Sequence, residues 1–210
     1  MTVQNALLAA APLTKTALRE QVVVFLDPPF MAFDLAILMR KRDAESSSIQ
    51  RISDLAGQTA IKFGVTAAGS TAEFFRSSPT PAYRVLLLRM EANSEASYVR
   101  SVEEGVRRVR EAPDDQPFVF IGEQHMLEFH ASRQPCDLAV VRGTEPVYEA
   151  GYHLAVGRQL DRETANRLAA GLQRLKDAGR LDALYQRWWT DRVQCSQSEP
   201  EAESESGESA

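Results

Sequence analysis

Three places in this chain bring together residue types that recognise charge. Arg19 stands among apolar neighbours, between Leu18 and the run Val22 to Phe25, where a guanidinium offers a carboxylate two parallel N–H donors. The turn Gly69-Ser70-Thr71 opens a helix, and there unpaired backbone N–H groups, two hydroxyls and the positive end of the helix dipole favour an anion. Glu123 follows the apolar stretch Phe118 to Gly122, at a strand's C-terminal end, where a carboxylate can accept an ammonium group. Each has a plainer reading. Arg19 can be a surface cation paired with Glu20, Ser70 or Thr71 an ordinary helix cap, and Glu123 a solvated loop carboxylate. Together, however, the three are complementary to an α-amino dicarboxylic acid, which needs a fixed cation for one carboxylate, a helix N-terminus for the other and an anion for its amine.

Other chemistries find less support. His125, His130 and His153 have no metal-ligand spacing, so no metal is expected. No nucleophile and base pair stands beside the three charged places, so no enzyme and no cofactor are expected. The net charge is −5 with a pI near 5.3, and Lys and Arg are spread along the chain. That balance leaves no basic footprint for a nucleic acid.

The elements that must position these residues follow from apolar period and turn chemistry. Ala6 to Leu13 is apolar enough to raise a signal peptide, but no basic residue precedes it, and a strand is the favoured reading. Val22 to Phe25 and Leu35 to Met39 read as strands split by Asp27-Pro28-Pro29. Arg40 to Ser48 is charged and Ser-rich without an apolar period, and reads as a linker. Ser53 or Asp54 caps a short helix through Gln58; Ala60 to Val65 reads as a strand, and Ser70-Thr71 begins a helix carrying Phe74 and Phe75. Ser101 with Glu104 makes a capping box ahead of Val102, Val106 and Val109 at helical spacing. Phe118 to Ile121 and Leu138 to Val141 read as strands around a helix near His125 to Ser132. Arg162 to Asp191 reads as helical, with Leu168, Leu172 and Leu175 on one face, Gly179 as a stop, and Trp188-Trp189 as packing residues.

The alternation of strands and helices predicts an α/β fold with a mixed or largely parallel sheet. With 210 residues and 44% apolar content, the chain is long enough for one ordinary domain or two small lobes. The longest apolar region, Val22 to Met39, is broken by Asp27, Pro28, Pro29 and Asp34, far short of the ~20 apolar residues that a spanning helix needs. From Ser196 onward Ser, Glu, Gly and Ala dominate, and residues 196–210 are expected to form a disordered acidic tail. Cys136 and Cys195 stand alone, open at this level to either buried thiols or one disulfide.

A set of ordered motifs resembles the AMPA- and kainate-type ionotropic glutamate receptors. The stretch Ala11-Pro12-Leu13-Thr14-Lys15-Thr16-Ala17-Leu18-Arg19-Glu20 and then Pro29-Phe30-Met31 resemble the first-lobe binding strand of that family. Ile52-Ser53-Asp54-Leu55 and Gly69-Ser70-Thr71-Ala72-Glu73-Phe74-Phe75-Arg76 resemble its second lobe. Glu103-Glu104-Gly105-Val106, Glu123, Met126, Pro135-Cys136-Asp137, Gly151-Tyr152, the ending through Trp188-Trp189, and Cys195 continue the likeness in order.

The resemblance implies a two-lobed clamshell of the type II periplasmic-binding-protein kind. An incomplete first lobe is expected over 1–34 and 152–195, and the second lobe over 35–151. It implies that Arg19 binds the ligand α-carboxylate with Thr14 and the backbone at Ser70, and that Thr71 with Ser70 holds the side-chain carboxylate. The ligand amine would meet the Pro12 carbonyl, the Thr14 hydroxyl and Glu123, with Met126 and Tyr152 beside them. Cys136 and Cys195 match the family's disulfide. The implied function is binding of L-glutamate or a related amino acid by a domain of a ligand-gated ion channel, at the extracellular face of the plasma membrane and alongside other receptor subunits. The membrane would be met only through pore helices, whose place here is taken by Arg40 to Ser48. A free-standing amino-acid-binding protein of transport type is the other reading of the same fold.

Overall fold

The computed structural model describes residues 7–143 and 150–195, and the expected acidic tail lies outside them. In chain order the elements are β1 (Leu8–Thr14), α1 (Ala17–Glu20), β2 (Val23–Phe25), β3 (Met31–Phe33), β4 (Leu35–Arg40), α2 (Lys41–Ser46), a 3-10 turn (Ile52–Gly57), β5 (Lys62–Thr66), α3 (Ser70–Ser77) and α4 (Pro81–Ala92). They continue as α5 (Ser94–Ser97), β6 (Tyr98–Val99), α6 (Val102–Glu111), β7 (Phe118–Glu123), α7 (Gln124–Ala131), β8 (Leu138–Arg142), β9 (Ala150–Gly157), α8 (Arg162–Asp177), α9 (Arg180–Tyr185) and a π turn (Gln186–Thr190).

Two sheets organise these elements. In the larger, with order β6-β5-β7-β4-β8, β5 runs parallel to β6 and β7 while β4 runs antiparallel to β7 and β8. All six residues of β4 are buried, as a strand with both faces covered requires. Its side chains alternate between two cores. Leu35, Ile37 and Met39 join Ile52, Leu55, Phe75, Leu86 and Met90 under the 3-10 turn, α3 and α4. Ala36 and Leu38 join Val106, Val109, Phe120 and Leu127 under α6 and α7. The smaller sheet is antiparallel throughout, with β9 pairing β1, β2 and β3.

Local chemistry explains the helix starts. The Ser101 hydroxyl accepts from the Glu104 N–H at 3.3 Å, and the Glu104 carboxylate accepts from the Arg100 N–H at 2.8 Å, so the expected box closes one residue upstream of the cap. Asp54 opens the 3-10 turn by accepting from the N–H groups of Gln50 and Arg51 at 3.0 and 3.1 Å. These bonds, together with the Arg51 side chain, hold its carboxyl below the usual range against burial, which alone would raise it.

Three expectations change, and one helix has no counterpart among them. The stretch read as an unstructured linker forms α2, because Arg40, with its side chain 8% exposed, binds Asp43 at 2.6 Å and the Ala112 carbonyl at 2.6 Å. Charge pairing, rather than an apolar stripe, holds that segment. The strand expected from Ala60 starts at Lys62. Helix α4, which periodicity does not announce, buries Leu86 and Met90 while Val85 and Leu88 on its other faces stay exposed, so its apolar pattern has no single stripe. Of the expected face of α8, Leu172 is buried and Leu175 is 49% exposed.

Candidate ligand-binding site

Strand direction brings the three charged places together. Because β5 and β7 run parallel, with Lys62 opposite Phe118 and Gly64 opposite Phe120, their C-terminal ends open on one edge of the larger sheet. Ser70 follows β5 there and Glu123 ends β7. This is the edge at which α/β sheets characteristically hold ligands. The smaller sheet arrives at the same place, since Tyr152 of β9 stands opposite both Thr14 of β1 and Met31 of β3.

The Glu123 carboxylate is the meeting point. Its Oε1 accepts from the Thr14 hydroxyl at 3.0 Å and the Ser70 hydroxyl at 2.8 Å, and its Oε2 accepts from the Tyr152 hydroxyl at 2.5 Å. Three elements therefore serve one carboxylate, whose two oxygens offer about four acceptor positions and so keep capacity for a further donor. Thr14, Ser70, Thr71 and Tyr152 are all buried. Burial first, and the adjacent Glu123 charge second, push the Tyr152 phenol far above its ordinary range, so it stays a donor. Rings of Phe30 and Phe33 flank Tyr152 with centroids 6.1 and 4.6 Å away.

Arg19 lies in α1, capped by the Thr16 hydroxyl, and its Nη1 donates to the Thr14 carbonyl at 2.9 Å. The guanidinium is thereby tied to the strand that carries Thr14. Glu20 pairs instead with Lys15, at 3.5 Å, so the plain reading of Arg19 as the partner of Glu20 does not describe its contacts. Thr71 shares the first turn of α3 with Ser70, where the first helical bond runs from the Glu73 N–H to the Gly69 carbonyl. The N–H groups ahead of it carry no helical partner. Pro12 is exposed on β1 and Met126 is half-buried in α7. Among the described residues, Pro12, Met126 and Thr71 make no side-chain hydrogen bond within the cluster, whereas Thr14, Arg19, Ser70, Glu123 and Tyr152 are linked directly or through one residue. Sequence reasoning did not find that the candidate residues bond one another; a long-range hydroxyl-to-carboxylate contact leaves no local pattern.

The second predicted feature is covalent. Cys136 and Cys195 are disulfide-bonded, at a sequence separation of 59, and join the turn after α7 to the residues after the π turn. Among the described residues no group of His, Cys, Asp and Glu could hold a metal, and no helix is long and apolar enough to cross a membrane.

A mixed α/β fold of two sheets, with polar groups from both meeting at the C-terminal ends of parallel strands, is the fold of the type II periplasmic-binding-protein class. In sequence and in fold the chain is similar to the ligand-binding domain of ionotropic glutamate receptors. It is 34% identical over 149 residues to Glutamate receptor 3 of Homo sapiens, an alignment that covers 71% of this chain and 16% of that protein. With Glutamate receptor U1 of Xenopus laevis it shares 29% identity over 154 residues, 73% of this chain and 30% of the relative. A solved structure described as Drosophila muscle GluRIIB complex with glutamate superposes with a TM-score of 0.77 at 29% identity, covering 89% of this chain and 69% of that one. No protein-family model matches the chain. The chain thus spans less than a third of the curated relatives it matches.

Proposed function

We propose that the chain binds L-glutamate or a closely related amino acid as the ligand-binding domain of a ligand-gated ion channel. The observation that carries this reading is the Glu123 carboxylate, gathered by Thr14, Ser70 and Tyr152 from three elements and linked through Thr14 to the Arg19 guanidinium. In this reading Arg19 takes the α-carboxylate with a two-donor fork, helped by Thr14 and the Ser70 backbone. Ser70 and Thr71 take the side-chain carboxylate at the N-terminus of α3, where free N–H groups and the dipole favour it. The amine meets Glu123, the Thr14 hydroxyl and the Pro12 carbonyl, with Met126 and Tyr152 forming the wall. Residues 1–34 and 152–195 make one lobe and 35–151 the other. Ligand contacts with both lobes favour the closed arrangement, and closure is the signal.

Likeness to the glutamate receptors further supports placement at the extracellular face of the plasma membrane and assembly with other receptor subunits, and the disulfide suits that compartment. Titration calorimetry with L-glutamate tests the reading. Saturable one-site binding, with glutamate recovered unchanged by chromatography, is expected. No heat and no competition by any amino acid at millimolar concentration would sink it, and loss of glutamate with time would make the site an enzyme's.

A further inference from the structure

His125 stands in the first turn of α7, two positions past Glu123, and has no part in the roles assigned so far. Its Nε2 lies 2.9 Å from the Ala32 carbonyl of β3. Its Nδ1 lies 3.2 Å from the Tyr185 hydroxyl of α9 and 3.2 Å from Glu128 Oε2 on its own helix. A carbonyl only accepts, so Nε2 carries a proton and donates. Nδ1 meets two partners, the Tyr185 hydroxyl, which can donate or accept, and the Glu128 carboxylate, which only accepts. Glu128 is separately held by Gln124 at 2.6 Å and Arg142 at 2.7 Å. The backbone is pinned as well, because the His125 carbonyl accepts from Trp189 Nε1 at 3.1 Å.

These bonds close a circuit around the site. Ala32 adjoins Met31, which pairs with Tyr152, and the Tyr152 hydroxyl donates to Glu123. On the other side, the Gln124 N–H donates to the Asp34 carbonyl at 2.9 Å. The Glu123 main chain is paired with Leu35 of β4, and the first turn of α7, which follows it directly, is fastened to β3 through His125. We propose that His125 is a positioning residue for Glu123, in which donation from Nε2 to the Ala32 carbonyl fixes the start of α7 against the β3 and β9 ladder and so aims the carboxylate at a ligand ammonium group. The proposal rests on the reading of Glu123 as the amine-holding residue.

The test uses His125→Phe, which keeps a ring beside Tyr185 but has no N–H, and His125→Gln, whose side-chain amide nitrogen is as many bonds from Cβ as Nε2 is. Two titrations are compared, with L-glutamate and with glutarate, which has both carboxylates and no amine. His125→Phe should lose about five- to tenfold in glutamate affinity, the size of one hydrogen bond, and little for glutarate, and His125→Gln should recover most of the loss. A ligand-free readout is the ring resonance of Tyr152 in protein carrying 13C-labelled tyrosine, which should move in His125→Phe and return in His125→Gln. Equal losses for both ligands, or an unmoved Tyr152 resonance in a folded His125→Phe protein, overturns the proposal. Should the parent chain bind no glutamate, the proposed function fails, while the Tyr152 resonance still decides the role of His125.

Discussion

Glu123 concentrates more hydrogen bonding than any other candidate side chain, and all of it comes from hydroxyls rather than from a cation. Hydroxyls orient a carboxylate without neutralising it, which leaves the charge available to an ammonium group. Glu123→Gln removes that charge but keeps the shape, and should weaken glutamate binding by about 2 kcal/mol or more, since a desolvated ammonium loses its ionic partner. Calorimetry on the two proteins measures it, and equal affinities would take the amine away from Glu123. Arg19 is the complementary case. One of its nitrogens is committed to the Thr14 carbonyl, so carboxylate binding depends on the remaining donors of a rigid planar fork. Arg19→Lys supplies a point charge without the planar two-donor fork, and loss of measurable glutamate binding is expected in the same assay. Retained affinity would remove Arg19 from the site.

Among the elements, those that hold the site begin at chemical signals close in sequence. Helix α6 packs Val106 and Val109 into the core that supports β7, and it starts at the Ser101 cap. Ser101→Ala should cost about 1 kcal/mol of stability while leaving the ligand contacts in place. Urea unfolding with and without glutamate separates the two, and a large loss of affinity at unchanged stability would contradict this role. The 3-10 turn and α4 are joined by Arg89, whose guanidinium donates to the carbonyls of Leu55, Gln58 and Ile61 at 2.6, 3.0 and 3.0 Å and lies over the Phe63 ring. One side chain thus serves three carbonyls, of which that of Leu55 also accepts from the Gln58 N–H, and burial lowers the pKa of that cation from its usual value.

At the scale of the whole molecule, the C-terminal helices are held to the rest by few buried side chains. Leu175, Leu184 and Trp188 are 49, 51 and 43% exposed, and Leu172 is the buried residue of α8. Polar and covalent ties take over. Tyr185 and Trp189 stack with centroids 5.6 Å apart and reach α7 through His125, and the Cys136 to Cys195 bond closes the chain end onto the turn after α7. A loop of 59 residues corresponds to about 4 kcal/mol in the chain-entropy model, an upper figure where the unfolded chain keeps structure. Reduction, or Cys136→Ser with Cys195→Ser, should lower the melting temperature and make the segment after α8 the first to be cleaved in limited proteolysis. An unchanged melt and cleavage pattern would show that packing alone holds those helices.

Sequence by itself determined the element types where one face or two are apolar, as in β4, β7 and α6, because burial imposes a period that can be read one residue at a time. It determined the helix start at Ser101, which depends on an atom three residues away, and it singled out Arg19, Glu123 and the Ser70-Thr71 turn by charge and local context. It did not show α4, whose apolar residues face several ways, or α2, whose order comes from Arg40 reaching Asp43 and Ala112. Only the tertiary structure decided that Thr14, Ser70 and Tyr152 donate to one carboxylate, across separations of 109, 53 and 29 residues. Those contacts exist because parallel β5 and β7 end on one edge and β9 places Tyr152 opposite Thr14. Strand order and register are properties of long-range pairing, which no short window of sequence contains.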